Sequence, residues 1–476
     1  MVSYQADVGA LGHERAAAVR AWPVADEVAQ APELVGRLGV DGAKHRLERM
    51  EIPVNVGDDG HSHGSRTLAK RAGLIALAVV WVVSGFFLWR TSVPRLDIPD
   101  LDPRDYFSAA ELAKADEYRR VSRALLLGSL AVQIVVMALL VWKARPLADA
   151  LGGIGRGRIR TGILMSAAVV IALWLATLPL GAVSLWWRRR YGLSTQGAAG
   201  WLRDQAVAVG VECLLVAAAA AVTLGLAAWL GRSWWLAAAP LFVLAGVLYF
   251  IAQPLVIQPL FNRFHPLGDQ RLTAEIKELG AKEGVTVDKV LVADASRRTT
   301  TANAYVSGLG PTKRVVFYDT MLDGRFSQSE LESVAAHELG HVARSHIWKG
   351  LGWFALIAIP GVFLVWWFTE RRGGLPDPRL VPLAIAVALV YSLLVSPLGN
   401  LVSRRYEAEA DWMALTATND PQSFIDLEKK LTVTSLSDPD PPAWSNLLFG
   451  THPTPMKRIG MADAFRTRES PAPAGS

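Results

Sequence analysis

The chain has 476 residues, of which 51% are hydrophobic and only 19% are charged. Soluble globular proteins of this length carry more charge, so the composition excludes that class. The formal net charge of +6 is explained by Lys and Arg residues that flank apolar runs. No sequence motif that reads DNA or RNA is present, and we expect no nucleic-acid partner.

The two ends of the chain are polar. Residues 1–70 contain no long apolar run, and we predict a partly disordered N-terminal extension there. Residues 466–476 are rich in Pro, Ala and Ser, and we predict a disordered tail. The extension contains histidines, but they are scattered among polar residues in a way that does not favour a metal site. They are His13, His45, His61 and His63.

Seven apolar runs lie between these ends, and runs of about 18 or more residues predict transmembrane helices. Five fall within residues 71–260 and two within residues 350–402. The runs are 72–89, 124–142, 161–187, 206–231, 233–260, 350–369 and 380–402. Tryptophan pairs lie at several run ends, which suits the preference of aromatic rings for the membrane interface. We therefore predict a mainly α membrane protein with about seven transmembrane helices.

Residues 261–349 form the longest polar segment between two of these runs. Its pattern predicts a helix at 272–283 and strands at 289–293, 303–308 and 314–318, with a turn rich in Gly and Pro between the last two. The edge of such a strand can hold an extended peptide by main-chain hydrogen bonds. The alternative is that the strands only complete a small sheet, and both interpretations can hold together.

The sequence His337-Glu338-Leu339-Gly340-His341 lies in a run, 328–346, that we predict to be helical. Residues four apart share one helix face, so His337 and His341 can both direct an imidazole nitrogen at one metal ion. Glu338 lies beside the first of them and can reach a water on that metal. Zinc hydrolases use this arrangement, with the glutamate as general base.

A third ligand is expected in the charged run 403–411, which opens the predicted C-terminal helical part of the same metal-binding domain, residues 403–465. Glu407 and Asp411 are four apart, so one can bind zinc while the other accepts the N–H of a ligand histidine. Glu409 points away from that face, and we predict that it is solvated. His346 lies about 140° around the predicted helix from His341, and we predict that it is not a ligand. The single Cys213 lies in an apolar run, so the ligands must be histidines and carboxylates.

Several motifs in the same order resemble the integral-membrane CAAX prenyl proteases of type I, a group that also includes the HtpX-like bacterial proteases. The resemblance covers roughly residues 106–461. It rests on Tyr106-Phe107, Arg190-Tyr191-Gly192-Leu193, Ser296-Arg297-Arg298, Asn303-Ala304-Tyr305, Tyr318-Asp319-Thr320, the motif at 337–341, the run 403–411 and residues 447–453. It implies a zinc endopeptidase with one Zn²⁺ per chain and a small α+β zincin-like domain, and with helices that enclose a chamber in the membrane.

The resemblance also implies roles for individual residues. His337, His341 and Glu407 are the implied zinc ligands and Glu338 the implied general base. Asp411 would orient a ligand histidine, and Asn303 and Ala304 would lie on the substrate-binding strand. His452 and Arg458 would lie near the metal, where they stabilise the oxyanion or orient Glu407.

The implied partners are membrane lipids and peptide or protein substrates, including lipidated or membrane-embedded ones. The protease domain of this multi-pass protein of the cell membrane would face the cytoplasm. A quality-control protease of the HtpX type is an alternative. A non-catalytic scaffold or transporter with a structural metal site is a second alternative, but Glu338 and the lack of a fourth His or Cys ligand nearby argue against it.

Overall fold

The computed structural model describes residue 75, residues 78–308 and residues 313–469. The predicted N-terminal extension, most of the predicted tail and most of the predicted turn after residue 308 lie outside these ranges. The chain divides into two compact units. The smaller unit, Val24–Thr91, contributes one described apolar helix, α1, at Ala78–Trp89. Everything described from Ser92 onward belongs to the larger unit.

The larger unit is mainly helical. In chain order its α-helices are α2 Ala109–Trp142, α3 Ala144–Gly155, α4 Arg158–Arg190, α5 Ala198–Leu230, α6 Trp234–Ala252, α7 Gln258–Phe261, α8 Gln270–Lys282, α9 Gln328–Ala343, α10 His346–Glu370, α11 Val381–Thr418, α12 Pro421–Thr434, α13 Ala443–Phe449 and α14 Pro455–Glu469. The N-cap of α2 is Ser108, whose hydroxyl accepts the main-chain N–H of Glu111 while the Glu111 carboxylate accepts that of Ser108, which forms a capping box.

Five helical segments among the described residues are long and apolar enough to cross a membrane. They are Ala109–Trp142, Arg158–Arg190, Ala198–Phe261, His346–Glu370 and Pro378–Thr418. The segment Ala198–Phe261 has 64 residues and contains two of the predicted runs, joined by a 3₁₀ turn at Gly231–Ser233. The described part of the first predicted run, α1, is shorter than a span requires. The mainly helical membrane fold is confirmed, whereas the count of about seven spans is not.

Side-chain exposure in these segments fits a surrounding bilayer. Large apolar side chains such as Leu214, Trp229 and Leu394 are 70–80% exposed, which is costly in water but favourable in lipid. Where helices touch, small residues allow close approach. A Cβ at Gly162 in α4 would lie 2.4 Å from Leu224 Cδ1 in α5, so a larger side chain there would require Leu224 to move.

A small sheet lies between the membrane segments in the sequence. Its strands are β1 Phe264–Pro266, β2 Val290–Ala293, β3 Ala304–Ser307 and β4 Arg314–Tyr318, in the order β1-β2-β4-β3. The strand β4 pairs in parallel with β2 and antiparallel with β3, which places β3 at one edge. Three of the strands match the prediction. The strand β1 was not predicted, because three residues that end in proline show no alternation.

One feature of the helices differs from the prediction, and another explains how the charged run 403–411 reaches the predicted metal-binding helix. The predicted helix 328–346 is in fact two helices, because Ser345 has φ 55° and ψ 34° and reverses the chain in the left-handed conformation. The helix α11 is continuous for 38 residues and carries the charged run 403–411 directly against α9. A Cβ at Gly340 in α9 would lie 2.9 Å from the Met413 Cβ, so glycine is needed where the two helices meet.

Candidate metal centre

His337, His341 and Glu407 converge on one point between α9 and α11. Each offers one ligand atom, and these atoms all lie within 4.8 Å of one another. His337 Nε2 lies 3.2 Å from His341 Nε2 and 3.2 Å from Glu407 Oε2. His341 Nε2 lies 3.7 Å from Glu407 Oε1. Helical spacing brings the two histidines together, as predicted, and the contact between α9 and α11 brings the carboxylate to them.

The hydrogen bonds around this group fit a bound cation. His337 Nδ1–H donates to Asp411 Oδ1 at 2.8 Å, so in the neutral imidazole Nε2 carries a lone pair. That lone pair faces Glu407 Oε2, a buried carboxylate oxygen that receives no hydrogen bond from the described residues. Acceptors that face one another in a buried site need a positive charge between them. Two imidazole nitrogens and one carboxylate form a donor set typical of catalytic zinc.

Electrostatics at His337 support the same conclusion. Burial opposes protonation of the imidazole, but the adjacent carboxylates of Asp411 and Glu407 outweigh burial and raise the pKa of His337 to about 10. The surrounding carboxylates therefore strongly favour positive charge at this position. A proton or a metal ion can supply that charge.

Behind His337 lies a buried set of charged groups that we call the Asp411 support, namely Asp411, Arg458 and Glu428. Arg458 Nε donates to Asp411 Oδ2 at 2.9 Å, and Arg458 Nη1 lies 2.7 Å from Glu428 Oε1. Burial raises the pKa of Glu428 to about 7, against the lowering effect of Arg458. The structure thus places Arg458 against Asp411 rather than against Glu407. Glu428, in α12, has no sequence signal that distinguishes it from a surface glutamate.

Behind His341 lies a second set that we call the His346 support, namely His346, Glu409 and Ser92. His346 Nδ1 lies 2.9 Å from His341 Nδ1, and His346 Nε2 lies 2.9 Å from Glu409 Oε2. The prediction that Glu409 is solvated is wrong, since its side chain is 2% exposed. The error arose because a chain reversal precedes α10 and brings that helix over Glu409. A prediction that treats 328–346 as one continuous helix does not include this reversal. His346 is not among the three converging ligand residues, but it contacts one of them directly.

The edge strand β3 lies beside Glu338. Glu338 Oε2 accepts a hydrogen bond from the main-chain N–H of Val306 at 3.0 Å. Ala304 lies in β3 opposite Phe317, while Asn303 precedes the strand and its carbonyl accepts the N–H of Tyr318 at 2.8 Å. The strand that contains Ala304 therefore lies beside Glu338, and the residue of that strand that contacts Glu338 is Val306, which sequence reasoning did not name.

His452 reaches the same group from the loop before α14. Its Nε2 lies 3.2 Å from Glu407 Oε2, and its side chain is 38% exposed. Thr451 Oγ1 lies 3.1 Å from the other ring nitrogen of His452. The structure therefore brings together the residues that the sequence nominated from three distant segments. An accessible imidazole beside the buried carboxylate is well placed to meet a ligand that enters the site.

Comparison with known proteins identifies the family of this chain. Residues 266–465 match the model of peptidase family M48, and residues 95–263 match the model described as CAAX prenyl protease N-terminal, five membrane helices. The chain belongs to peptidase family M48. This M48 peptidase is therefore an integral-membrane metalloendopeptidase that acts on peptide or protein substrates. The predicted family, enzyme class and dependence on a metal are confirmed.

Individual relatives differ in how much of their length this M48 peptidase matches. It is 28% identical over 415 residues to the uncharacterized metalloprotease YhfN of Bacillus subtilis, covering 83% of this chain and 97% of that protein. It is 31% identical over 242 residues to CAAX prenyl protease 1 of Saccharomyces cerevisiae, covering 44% of this chain and 51% of that protein. A homologue of CAAX prenyl protease 1 from Oryza sativa subsp. japonica is 32% identical over 239 residues, which cover 48% of this chain and 56% of that protein. The matches to these two prenyl proteases thus span about half of their length.

The crystal structure of Ste24p from S. mikatae has the same fold. Its TM-score is 0.66 at 19% identity, and the match covers 81% of this chain and 96% of that one. The fold of the M48 peptidase therefore extends across both its membrane helices and its small sheet.

Proposed function

We propose that this M48 peptidase is a zinc endopeptidase in which His337, His341 and Glu407 hold one Zn²⁺ per chain. The observation that carries the proposal is the convergence of two imidazole nitrogens and one buried carboxylate, with both opposite ring nitrogens bonded to other residues. A bound zinc ion would polarise the scissile carbonyl and make a water molecule acidic near neutral pH.

Glu338 is the proposed general base. It follows His337 directly on α9, and its carboxylate lies beside β3, where it accepts the main-chain N–H of Val306. Glu338 accepts a proton from the attacking water and passes it to the leaving amine. His452, whose Nε2 lies 3.2 Å from Glu407 Oε2, donates a hydrogen bond to the oxyanion that develops on the substrate.

The edge strand β3 is the proposed substrate-binding strand. An extended peptide that pairs with residues near Asn303 and Ala304 would run past Glu338 and present its carbonyl to the metal ligands. The bond between Val306 N–H and Glu338 shows how close this edge lies to the proposed base. In this arrangement the small sheet both completes the domain and positions the substrate.

The proposed substrates are lipidated or membrane-embedded proteins, cleaved at the cytoplasmic side of the cell membrane in a chamber that the helices enclose. The match of residues 95–263 to a CAAX prenyl protease N-terminal model supports this substrate class over the HtpX-type alternative. The similarity to proteins named CAAX prenyl proteases gives further support. Contact with membrane lipids follows from the exposed apolar helices.

Metal content and peptide cleavage, measured on the same detergent-purified samples, test the proposal. We expect wild type to contain one zinc per chain, Glu407→Ala to lose zinc and activity together, and Glu338→Gln to keep zinc but lose cleavage. The matched control is His265→Ala, because His265 is an exposed histidine of the same domain whose ring, among the described residues, forms a hydrogen bond only with the neighbouring Pro266 carbonyl. Normal cleavage by Glu338→Gln would overturn the role of Glu338.

The substrate class requires a separate measurement. A peptide with a C-terminal prenylated cysteine motif and the same peptide without the lipid are compared for kcat/KM. We expect the prenylated peptide to be cleaved faster. Equal rates, or cleavage only of unfolded membrane proteins, would favour the quality-control alternative.

A further inference from the structure

His346 bridges a proposed zinc ligand and a buried carboxylate. It lies 2.9 Å from His341 through one ring nitrogen and 2.9 Å from Glu409 through the other. The reversal at Ser345 makes this possible, because it turns the first residue of α10 back towards the last turn of α9. His346 and Glu409 are both almost fully buried.

The chemistry of the three residues fixes the direction of each hydrogen bond. With Nε2 of His341 directed at Glu407 and His337, its proton resides on Nδ1, and Nδ1–H donates to His346 Nδ1. His346 then carries its own proton on Nε2 and donates it to the Glu409 carboxylate. A carboxylate accepts and cannot donate, so Glu409 sets the tautomer of both imidazoles.

Glu409 and the ring of His346 are themselves held in place. The carboxylate accepts the main-chain N–H and the hydroxyl of Ser92 at 2.6 and 2.7 Å. The imidazole of His346 stacks on the ring of Tyr406 at 4.5 Å with an interplanar angle of 6°. Tyr406 precedes the proposed ligand Glu407 on α11, so the same helix supplies the ligand and the surface that orients His346.

We propose that His346 is a positioning residue for the metal site, and that Glu409 acts through it. Together they hold His341 in the tautomer and ring orientation that present Nε2 to the metal. This inference rests on the proposed function, since it concerns a ligand of the proposed zinc. Loss of such a partner behind a ligand histidine lowers metal affinity by about 10–100-fold.

A purely structural role would give a different result. A buried network that only joins α10 to α11 would, when cut, lower the thermal stability and leave the metal environment unchanged. The discriminating measurements are therefore zinc affinity by chelator competition and the absorption spectrum of the Co²⁺-substituted protein. Neither depends on catalytic turnover.

The sharpest variants are His346→Asn and His346→Leu, because asparagine and leucine have nearly the same shape. The asparagine carbonyl can accept the Nδ1–H of His341, whereas leucine cannot. We expect His346→Leu to lose about 10–100-fold in zinc affinity and to change the Co²⁺ spectrum, and we expect His346→Asn to recover most of the loss. Glu409→Gln is a second variant. It removes the negative charge at the end of the hydrogen-bonded series from His341 through His346 to Glu409, and it should shift the Co²⁺ spectrum in the same direction.

The matched control is Thr369→Val, a shape-conserving change at a fully buried residue of the same helix, where only the hydroxyl's bonds to the Val365 and Trp366 carbonyls within that helix are lost. We expect its zinc affinity and Co²⁺ spectrum to equal those of wild type. Wild-type protein that binds no zinc would refute the proposed function. Wild-type zinc binding with identical affinity and spectrum in His346→Leu, His346→Asn and Glu409→Gln would refute only the role of His346.

Discussion

The two histidines of the metal centre are held in different ways. His337 donates directly to a carboxylate, and the Asp411 support neutralises that carboxylate with Arg458. His341 donates to a second imidazole, and the carboxylate of the His346 support lies one residue further away. One helix, α11, supplies Glu407 to the metal centre, Asp411 to one support and Glu409 to the other. The comparison shows that alternate residues of a single buried helix can serve a ligand role and two positioning roles.

The difference has an energetic consequence. In the Asp411 support both carboxylates are buried and the Arg458 side chain is only 14% exposed, so removal of one partner leaves a charge in a medium that solvates it poorly. In the His346 support the middle group is a neutral ring, and its loss strands mainly a hydrogen bond. We therefore expect the Asp411 support to carry more of the folding stability, and the His346 support to act mainly on the metal.

Asp411→Ala should produce the largest effect. It leaves Arg458 buried beside Glu428 alone and removes the acceptor for His337, and such a loss costs about 3–5 kcal/mol of unfolding free energy. Denaturant unfolding in detergent, with zinc content on the same samples, measures this. A variant that unfolds at the wild-type denaturant concentration would contradict the importance of the Asp411 support.

Ser345→Val should produce a smaller effect, confined to the His346 support. A β-branched residue is strongly disfavoured at φ 55°, and the left-handed conformation costs about 1–2 kcal/mol for residues other than glycine. We expect weaker zinc binding, because the first turn of α10 shifts and takes His346 with it. Ser345→Gly, which accepts this conformation, serves as the control and should bind zinc as tightly as wild type. Equal affinity in both variants would show that the reversal does not position His346.

Glu283→Gln should produce the smallest effect, and one of opposite sign. Both carboxylate oxygens of Glu283 are buried with no hydrogen-bond partner among the described residues. Burial raises the pKa of this carboxyl to about 7, against the positive charges of His337 and Arg344. Because the folded-state pKa is raised, Glu283 favours the folded state while it is protonated, and that contribution is lost as the pH rises from about 4.5 to 7.

Melting temperatures at two pH values measure this effect. We expect Glu283→Gln to raise the melting temperature relative to wild type at pH 8 and to change it little at pH 4.5. A stabilisation that is equal at both values would mean that ionisation of Glu283 has no cost in the folded protein. The difference in melting temperature at pH 8 would also measure how strongly an unpaired carboxylate near His337 destabilises the folded protein.

Local patterns in the sequence were enough to predict much of the site. Two histidines and a glutamate at helical spacing, and Glu407 four residues before Asp411, depend only on the geometry of one helix. Strands β2, β3 and β4 were also predicted from a local pattern, because they are rich in β-branched and aromatic residues. The apolar runs predicted the membrane helices by length and composition alone.

The errors arose at residues whose position or burial depends on contacts between distant segments of the chain. Helix geometry showed that Glu409 faces away from Glu407, but the direction it faces is covered by α10 and not by water. The position of His346 depends on the left-handed conformation of Ser345, which no local sequence pattern predicts for a serine. Glu428 and Val306 reach the site only through packing between segments far apart in the chain. These residues form supports and edges, whereas local spacing indicates the two histidine ligands and the family resemblance selects Glu407 over Asp411.

Anomalous diffraction at the zinc edge, from crystals of the full-length wild-type protein, tests the central claim most directly. The account predicts one zinc peak per chain, in contact with Nε2 of His337, Nε2 of His341 and the carboxylate of Glu407. A zinc peak at other residues, or a well-ordered site that contains no metal when the active enzyme is crystallised, would contradict it.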